Sequence, residues 1–502
     1  MVTNPSDRSA WPALRLPEKR DLYYGGLWQR PRDRAYVETF SPGTGQSLGR
    51  VAESGILDVE AAVAAARSGF ATWRRVPPME RAALLRRIAD IVRSHARELA
   101  LLDAADCGNP VSAMLGDVLS TATQLEFFAG LVTEMKGDSI PMGPDVLNVS
   151  VREPLGVVGR IVPFNHPFMF CAGKIAAPLA AGNTALVKPP EQAPLSALRF
   201  AELVDGVLPA GVLNIVPGGR ETGAMLAGHA GIDALALIGS VGTGRAVLRA
   251  AADTIKPVLL ELGGKNALIA YPDTDPEEVA AAVVAGMNFA WCGQSCGSTS
   301  RAFLHADIHD EVLTRVRERC ADFRPGLPTD PATTMGAVIS KAHQDRVLGF
   351  IESARNDGAR LLCGGGPPAD PVLAGGFYVE PTVFADVTPE MRIAREEIFG
   401  PVLAVFRWHD EAAMLAEVNR TDYGLTCAIW TNDLGTAHRT AMAVDAGYVW
   451  INEVGRHFLG APFGGVKQSG LGREECLGEL LAFTREKNIH VNVRKRARQS
   501  QV

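Results

Sequence analysis

Two residues in this chain have side chains suited to covalent chemistry on a carbonyl. Cys296 sits in Gly293-Gln294-Ser295-Cys296-Gly297, flanked by small residues that leave its sulfur open to a substrate carbon. Glu261 lies 35 residues upstream, ends the apolar run Val258-Leu259-Leu260 and opens Glu261-Leu262-Gly263-Gly264-Lys265. A thiol attacks a carbonyl, and a carboxylate base later activates the water that releases the acyl group. Taken alone, a cysteine in an apolar setting is more often a packing residue than a nucleophile. Two further stretches suit a nucleotide. Gly239-Ser240-Val241-Gly242-Thr243-Gly244 follows a strand pattern and opens a helix, so backbone N–H groups there suit a phosphate and the glycines permit close approach. Lys188 ends the strand pattern Thr184–Lys188 and is followed by Pro189, Pro190 and Glu191. In open α/β sheets ligands bind beyond the carboxyl ends of strands. Each has a plainer alternative, a tight connection for the first and a solvated Lys–Glu turn for the second.

These residues need elements to position them. From Asp58 to about Lys136 the periodicity is helical, in the stretches Val59–Val76, Met79–Ala105 and Pro110–Met135, broken by Pro77-Pro78 and Cys107-Gly108-Asn109-Pro110. Asp138–Pro141 and Asn148–Val151 read as two strands joined by a Gly-Pro turn. Then the pattern alternates: strand Gly156–Val162, helix Pro167–Ala181, strand Thr184–Lys188, helix Pro194–Val207, and strands Val212–Val216, Ala234–Ile238 and Val258–Leu262. A second set follows Cys296: Arg301–His305, Asp307–Asp322, Ala342–Asn356, Thr382–Phe384, Val402–Phe406, Glu411–Asn419 and Cys427–Thr431. Strands alternating with helices indicate parallel βαβ units with both sheet faces covered. The fold class is α/β, as two domains with the active site between them.

At 502 residues the chain is too long for one core and suggests two or three domains. A net charge of −6 leaves no electrostatic footprint for nucleic acid. The basic tail Arg494-Lys495-Arg496-Ala497-Arg498 reads as a solvated terminus. No apolar run is long enough to span a bilayer, and charges at Asp7, Arg8, Glu18, Lys19 and Arg20 break any secretory pattern. Eight scattered cysteines suit a reduced, cytoplasmic setting. Cys292 and Cys296 are spaced C-x3-C, with no second pair or histidine doublet to complete a zinc site.

Seven stretches, in order, resemble the aldehyde dehydrogenase superfamily from about Tyr23 to Val493. They are Pro163-Phe164-Asn165-His166-Pro167, Val187-Lys188-Pro189-Pro190-Glu191, Gly239-Ser240 through Gly244, Leu260–Lys265, Gly293–Cys296, Glu396-Glu397-Ile398-Phe399-Gly400-Pro401, and the run from Pro462-Phe463-Gly464-Gly465 through Lys467, Ser469-Gly470 and Gly472-Arg473-Glu474. The resemblance implies a Rossmann-type cofactor domain (1–136 and 153–262), an α/β catalytic domain (263–468), and a small β oligomerisation element with a C-terminal arm (137–152 and 469–502). It implies a nucleophile at Cys296, a base at Glu261, and an oxyanion donor at Asn165 beside the Cys296 N–H. For the cofactor it implies Lys188 and Glu191 at the adenine-side ribose, Gly239, Ser240 and Gly244 at the pyrophosphate with Leu262 alongside, and Glu397 with Phe399 at the nicotinamide ribose. The partners implied are a small aldehyde, NAD in preference to NADP with NADP still possible, and further copies of the chain in a dimer or tetramer. Phe164 replaces the family's commoner Trp, and Ser295, Gly297, Arg456 and His457 are smaller or more polar than in enzymes for simple alkyl aldehydes. A polar or anionic substrate fits that pattern; Arg456 and His457 turned to solvent or a neighbouring subunit is the plainer reading. The competing readings are a CoA-acylating relative, which generally lacks the Glu261 base, and a catalytically silent member, which tends to lose the nucleophile or the lysine.

Overall fold

The structure is a computed structural model that describes residues 11–493. The charged start at Asp7 and Arg8 and the basic tail from Arg494 to Arg498 lie outside those residues. An eight-stranded sheet runs in the order Gly470–Leu471, Val258–Leu262, Ala234–Gly239, Val157–Ile161, Thr184–Lys188, Leu213–Ile215, Leu22–Tyr24, Leu27–Gln29. Its five inner strands are parallel, while Gly470–Leu471 and Leu22–Tyr24 join antiparallel.

The apolar runs sort by parity. Val157, Leu186, Leu235 and Leu237 face helices Ile56–Trp73, Arg220–Gly228 and Val241–Ala252. Val158, Ala185, Val187, Ala236 and Ile238 face the larger layer built from Pro78–Ser94, Ala96–Cys107, Val111–Gly130 and Leu195–Val204. Burial on both faces explains why these strands read as continuous apolar runs rather than alternating ones.

A seven-stranded sheet follows, ordered Arg360–Cys363, Thr382–Ala385, Val402–Trp408, Arg301–His305, Ala267–Ala270, Thr426–Trp430, Tyr448–Ile451. All its pairings are parallel except that of the edge strand Arg360–Cys363. A small sheet pairs Thr484–Asn492 with Val146–Pro154 and Ser139–Ile140, and a hairpin joins Tyr36–Phe40 to Ser47–Ala52.

Two expected helices are interrupted. The run expected over 79–105 divides at His95, whose N–H closes one helix onto Ile91 and Val92 and whose carbonyl accepts from Leu99 N to start the next. The helix expected over 167–181 becomes a π-turn, Met169–Gly173, and a short helix, Ala176–Ala180. Pro178 has no N–H for the carbonyl four residues back, so a regular helix cannot run through.

Candidate active site

Parallel register brings the chemistry-bearing residues to one edge. Ile161 pairs with Lys188, Ile238 with Glu261 and Gly239 with Leu262, so Lys188, Gly239 and Glu261 all stand at carboxyl ends within one parallel run of four strands. There Glu261 is buried on the wall of a cavity of about 730 Å³. Cys296 lies on the same wall, near enough to Glu261 that the carboxylate's charge acts on the thiol. Burial raises the Glu261 carboxyl to about 8, and burial together with the Glu261 charge pushes the Cys296 thiol well above its ordinary range. One carboxylate oxygen of Glu261, Oε1, is buried with no partner among the described residues.

The segment bearing Cys296 is tightly held. Asn288, Cys292 and Gly293 all adopt positive φ, at 56°, 55° and 65°. A Cβ at Gly293 would overlap the Gly400 carbonyl, so only glycine allows the segments to approach this closely. Asn266 Nδ2 donates to the carbonyls of Cys296 (2.6 Å) and Ser298 (3.0 Å), while its Oδ1 accepts from Thr426 N at 3.0 Å. One amide thus fastens the loop to two strands of the seven-stranded sheet. Gln294, fully buried, accepts from Ile339 N at 3.0 Å. Cys292 is buried in an apolar cluster with Met335 and Val338, away from the cavity wall.

Asn165 is buried next to His166, a wall residue, although its own side chain does not line the cavity. Asn109 Nδ2 donates to the Asn165 carbonyl at 2.8 Å, and Asn165 Oδ1 has no partner among the described residues. The Asn109 signal lay in a motif that reads from sequence only as a helix break.

The remaining candidates gather at the same edge. Lys188 Nζ donates to the carbonyls of Pro189 (2.9 Å) and Gly218 (2.6 Å), and burial lowers its pKa to about 8. Glu191 converges with Glu53 on the Gly219 backbone: a Cβ there would lie 2.7 Å from Glu191 Oε2 and 3.5 Å from Glu53 Oε1. Ser240 caps helix Val241–Ala252 by accepting from Thr243 N at 3.2 Å. Gly244 lets that helix meet strand Val258–Leu262, since a Cβ would fall 2.7 Å from Leu262 Cδ1. Glu397 accepts from Gly264 N at 3.0 Å, and a Cβ at Gly263 would clash with its carboxylate. Phe399, at φ 57°, packs edge-on against Phe164 with ring centroids 5.8 Å apart. The Phe164 ring therefore stands against Phe399 rather than on the cavity wall.

A buried ion network backs the cavity. Lys174 pairs with Glu474 (2.9 Å) and Glu475 (3.7 Å), Arg160 with Glu474 (3.0 Å), and His457 with Glu475 (3.1 Å). Arg456 stays largely exposed at the rim and stacks over Phe458.

Comparison with known proteins decides the class. The sequence profile of the Aldehyde dehydrogenase family matches residues 28–489. The chain belongs to the aldehyde dehydrogenase family. This dehydrogenase is 53% identical over 486 residues to the aldehyde dehydrogenase tropH of Talaromyces stipitatus, covering 95% of this chain and 94% of that one. It is 41% identical to a betaine aldehyde dehydrogenase of Cereibacter sphaeroides, covering 91% and 94%. The NAD+ complex of an aldehyde dehydrogenase from Bacillus cereus superposes with TM-score 0.92 at 38% identity, covering 95% and 97%. The protein is accordingly an oxidoreductase that oxidises aldehydes with a nicotinamide cofactor. Asn109, Asn266, Glu53, Lys174 and Glu475 were not among the residues expected from sequence; the Glu474 carboxylate fell within a quoted motif without a role.

Proposed function

We propose that the dehydrogenase converts an aldehyde to its carboxylic acid through a covalent adduct on Cys296, resolved by water that Glu261 activates. The observation that carries this reading is that Cys296 and Glu261 line one cavity, with the thiol under the influence of the carboxylate's charge. The Cys296 thiol gives up its proton to solvent in the cavity as sulfur attacks the carbonyl carbon, giving a thiohemiacetal. The Asn165 amide and the Cys296 N–H hold the oxyanion. NAD, when bound, supplies the hydride acceptor that turns this adduct into a thioester. Glu261 then takes a proton from water, which attacks the thioester and frees the acid with return of the thiol.

The residues present fit NAD. An ammonium has three N–H groups, and Lys188 commits two to carbonyls, leaving one for a ribose hydroxyl. Glu191 and Glu53 offer acceptors beside it, the first turn after Ser240 offers N–H groups to a pyrophosphate, and Glu397 with Phe399 would hold the nicotinamide ribose. In this reading 1–136 and 153–262 serve the cofactor, 263–468 the chemistry, and 137–152 with 469–502 the assembly of a homodimer or homotetramer in the cytoplasm.

The test is NADH formation with small aldehydes, with and without CoA. Cys296→Ser is expected to abolish turnover while NAD still binds in a fluorescence titration, because a serine hydroxyl is a far poorer nucleophile. Cys292→Ser is expected to keep most turnover yet lose about 1–3 kcal/mol of stability, having placed a hydroxyl in an apolar cluster. Near-normal NADH production by Cys296→Ser overturns the reading, and a strict requirement for CoA replaces water with a thiol as the acyl acceptor.

A further inference from the structure

The cavity holding Cys296 carries a second pair of titratable groups that the chemistry above does not use. His166 Nδ1 and Asp117 Oδ2 are 2.7 Å apart, and both residues line the wall. A carboxylate only accepts, so Nδ1 carries the proton and donates. That bond fixes the ring and makes Nε2 the nitrogen available to a ligand, an acceptor while the imidazole is neutral.

Two other wall residues point the same way. Gln124 is 95% buried, and its Oε1 has no hydrogen-bond partner among the described residues. Trp291 Nε1 is likewise buried without one. Gly173 is what admits Gln124, because a Cβ at 173 would come within 2.7 Å of Oε1. Leaving such groups unpaired costs about 1–3 kcal/mol each, which a polar ligand would recover. The set comprises acceptors at His166 Nε2 and Gln124 Oε1 and a donor at Trp291. A hydroxyl, which both donates and accepts, complements it.

Shape and charge narrow the class. His166 stands 5.8 Å from the Trp291 ring and 5.3 Å from the Phe170 ring, and Trp450 and Phe463 add further aromatic wall. Such surfaces favour a planar ring. The cations of the wall are spoken for: Lys174 is paired with Glu474 and Glu475, and Arg456 lies at the exposed rim beside Glu453. A carboxylate substituent would meet Asp117, Glu474 and Glu475 with no buried unpaired cation to offset them among the described residues of the wall.

We propose that the substrate is a planar aromatic aldehyde bearing a neutral hydroxyl, held through His166 and Gln124, with Asp117 positioning His166. The inference rests on the Cys296 reading, which sets the aldehyde carbon at that sulfur.

The experiment compares kcat/KM for meta- and para-hydroxybenzaldehyde, benzaldehyde and propanal under mildly acidic conditions that keep both phenols neutral. The better hydroxybenzaldehyde is expected to exceed benzaldehyde by about tenfold or more. His166→Phe should collapse that ratio toward one. Asp117→Asn, which keeps an acceptor for Nδ1–H, should retain most of the ratio, whereas Asp117→Leu should lose it. A merely structural Asp117 would lower both rates and leave the ratio alone, which overturns its positioning role. A wild-type ratio near one, a ratio that survives His166→Phe, or turnover of propanal with neither aromatic class overturns the substrate assignment. Absence of NADH with every aldehyde reads differently: it overturns the catalytic reading and takes the substrate class with it.

Discussion

At the Cys296–Glu261 pair, burial does two opposed things. It makes a dry place for the proposed acyl adduct, and it withholds charge from both groups that the proposal has act. The Glu261 carboxyl, about 8 against an ordinary value of 4.5, is largely protonated at neutral pH, so its base form grows as pH rises through about 8. Thioester hydrolysis should therefore accelerate from about pH 6 to 9 and level off above the carboxyl pKa. Glu261→Gln should remove that rise and leave a burst of about one NADH per active subunit, followed by slow turnover. Stopped-flow absorbance at several pH values separates burst from steady state; a pH-independent steady rate in the wild type, or equal slowing of both phases in the variant, would count against the assignment. Stability moves the other way. The folded chain keeps a proton that the unfolded chain releases, so this group's contribution is full below about 4.5 and fades as pH climbs to about 8. Cofactor choice is also decided by single residues. In the proposed binding mode Glu191 and Glu53, which converge on Gly219, face the adenine-side ribose, and two unit charges about 4 Å apart repel by ~4 kcal/mol at an effective dielectric of about 20. Lys188 offsets part of this, so a preference for NAD is expected. Glu191→Ser should shift the ratio of kcat/KM toward NADP, and Glu53→Gln should add to the shift. Equal use of both cofactors by the wild type would show that Lys188 outweighs the two carboxylates.

Between elements, the closest approaches are made by glycine. Gly244 brings helix Val241–Ala252 against Leu262, with no room for a Cβ at 2.7 Å. Gly244→Val should lower Tm through about 1–3 kcal/mol of overpacking and raise KM for NAD more than KM for the aldehyde. Gly116→Ala, on an exposed helix surface with nothing within 4 Å of the added Cβ, should be neutral or stabilising by up to ~1 kcal/mol. Thermal unfolding and cofactor titration check both; an unaffected Gly244→Val would mean the helix can shift without cost. What could be read in advance follows from the same physics. Thr184–Lys188, Val258–Leu262 and Arg301–His305 appear with the bounds expected, being apolar, β-rich runs closed by polar or proline punctuation. Ala267–Ala270, Tyr448–Ile451 and Gly470–Leu471 did not stand out: they are two to four residues long and exist as strands because neighbouring chain pairs with them. The site divides likewise. Cys296, Glu261 and Lys188 stand in dense motifs, while the work of Asn266, Asn109, Glu53 and Asp117 arises from partners 30 or more residues away along the chain.

For the whole molecule, the question is what the small sheet does. Thr484–Asn492 pairs with Val146–Pro154 over nine residues, and its other edge has no strand beside it among the described residues. Cross-strand pairs Ile489–Val149 and Val491–Leu147 are apolar, and Ile140, Met142, Leu147, Ile489 and Val491 are exposed. A long edge strand with apolar side chains invites pairing or aggregation unless something covers it. Further copies of the chain are the expected cover, so light scattering should give a multiple of 53.5 kDa. The sheet is also mechanically close to the chemistry. Its last strand follows Phe483, whose carbonyl accepts from Asn183 Nδ2 (2.9 Å) and Leu155 N (3.3 Å), and residues 474–479 immediately before it supply the carboxylates that hold Lys174 and Arg160 behind the cavity. Loss of assembly should then loosen that ion network and lower kcat as well as mass. Ile489→Lys combined with Val491→Glu tests both consequences, since polar charges tolerate a solvated edge but not a shared one. A wild type that runs as a 53.5 kDa monomer would remove the need for a cover. A double variant that assembles normally would place the interface elsewhere, and one that dissociates with full turnover would uncouple the small sheet from the buried carboxylates.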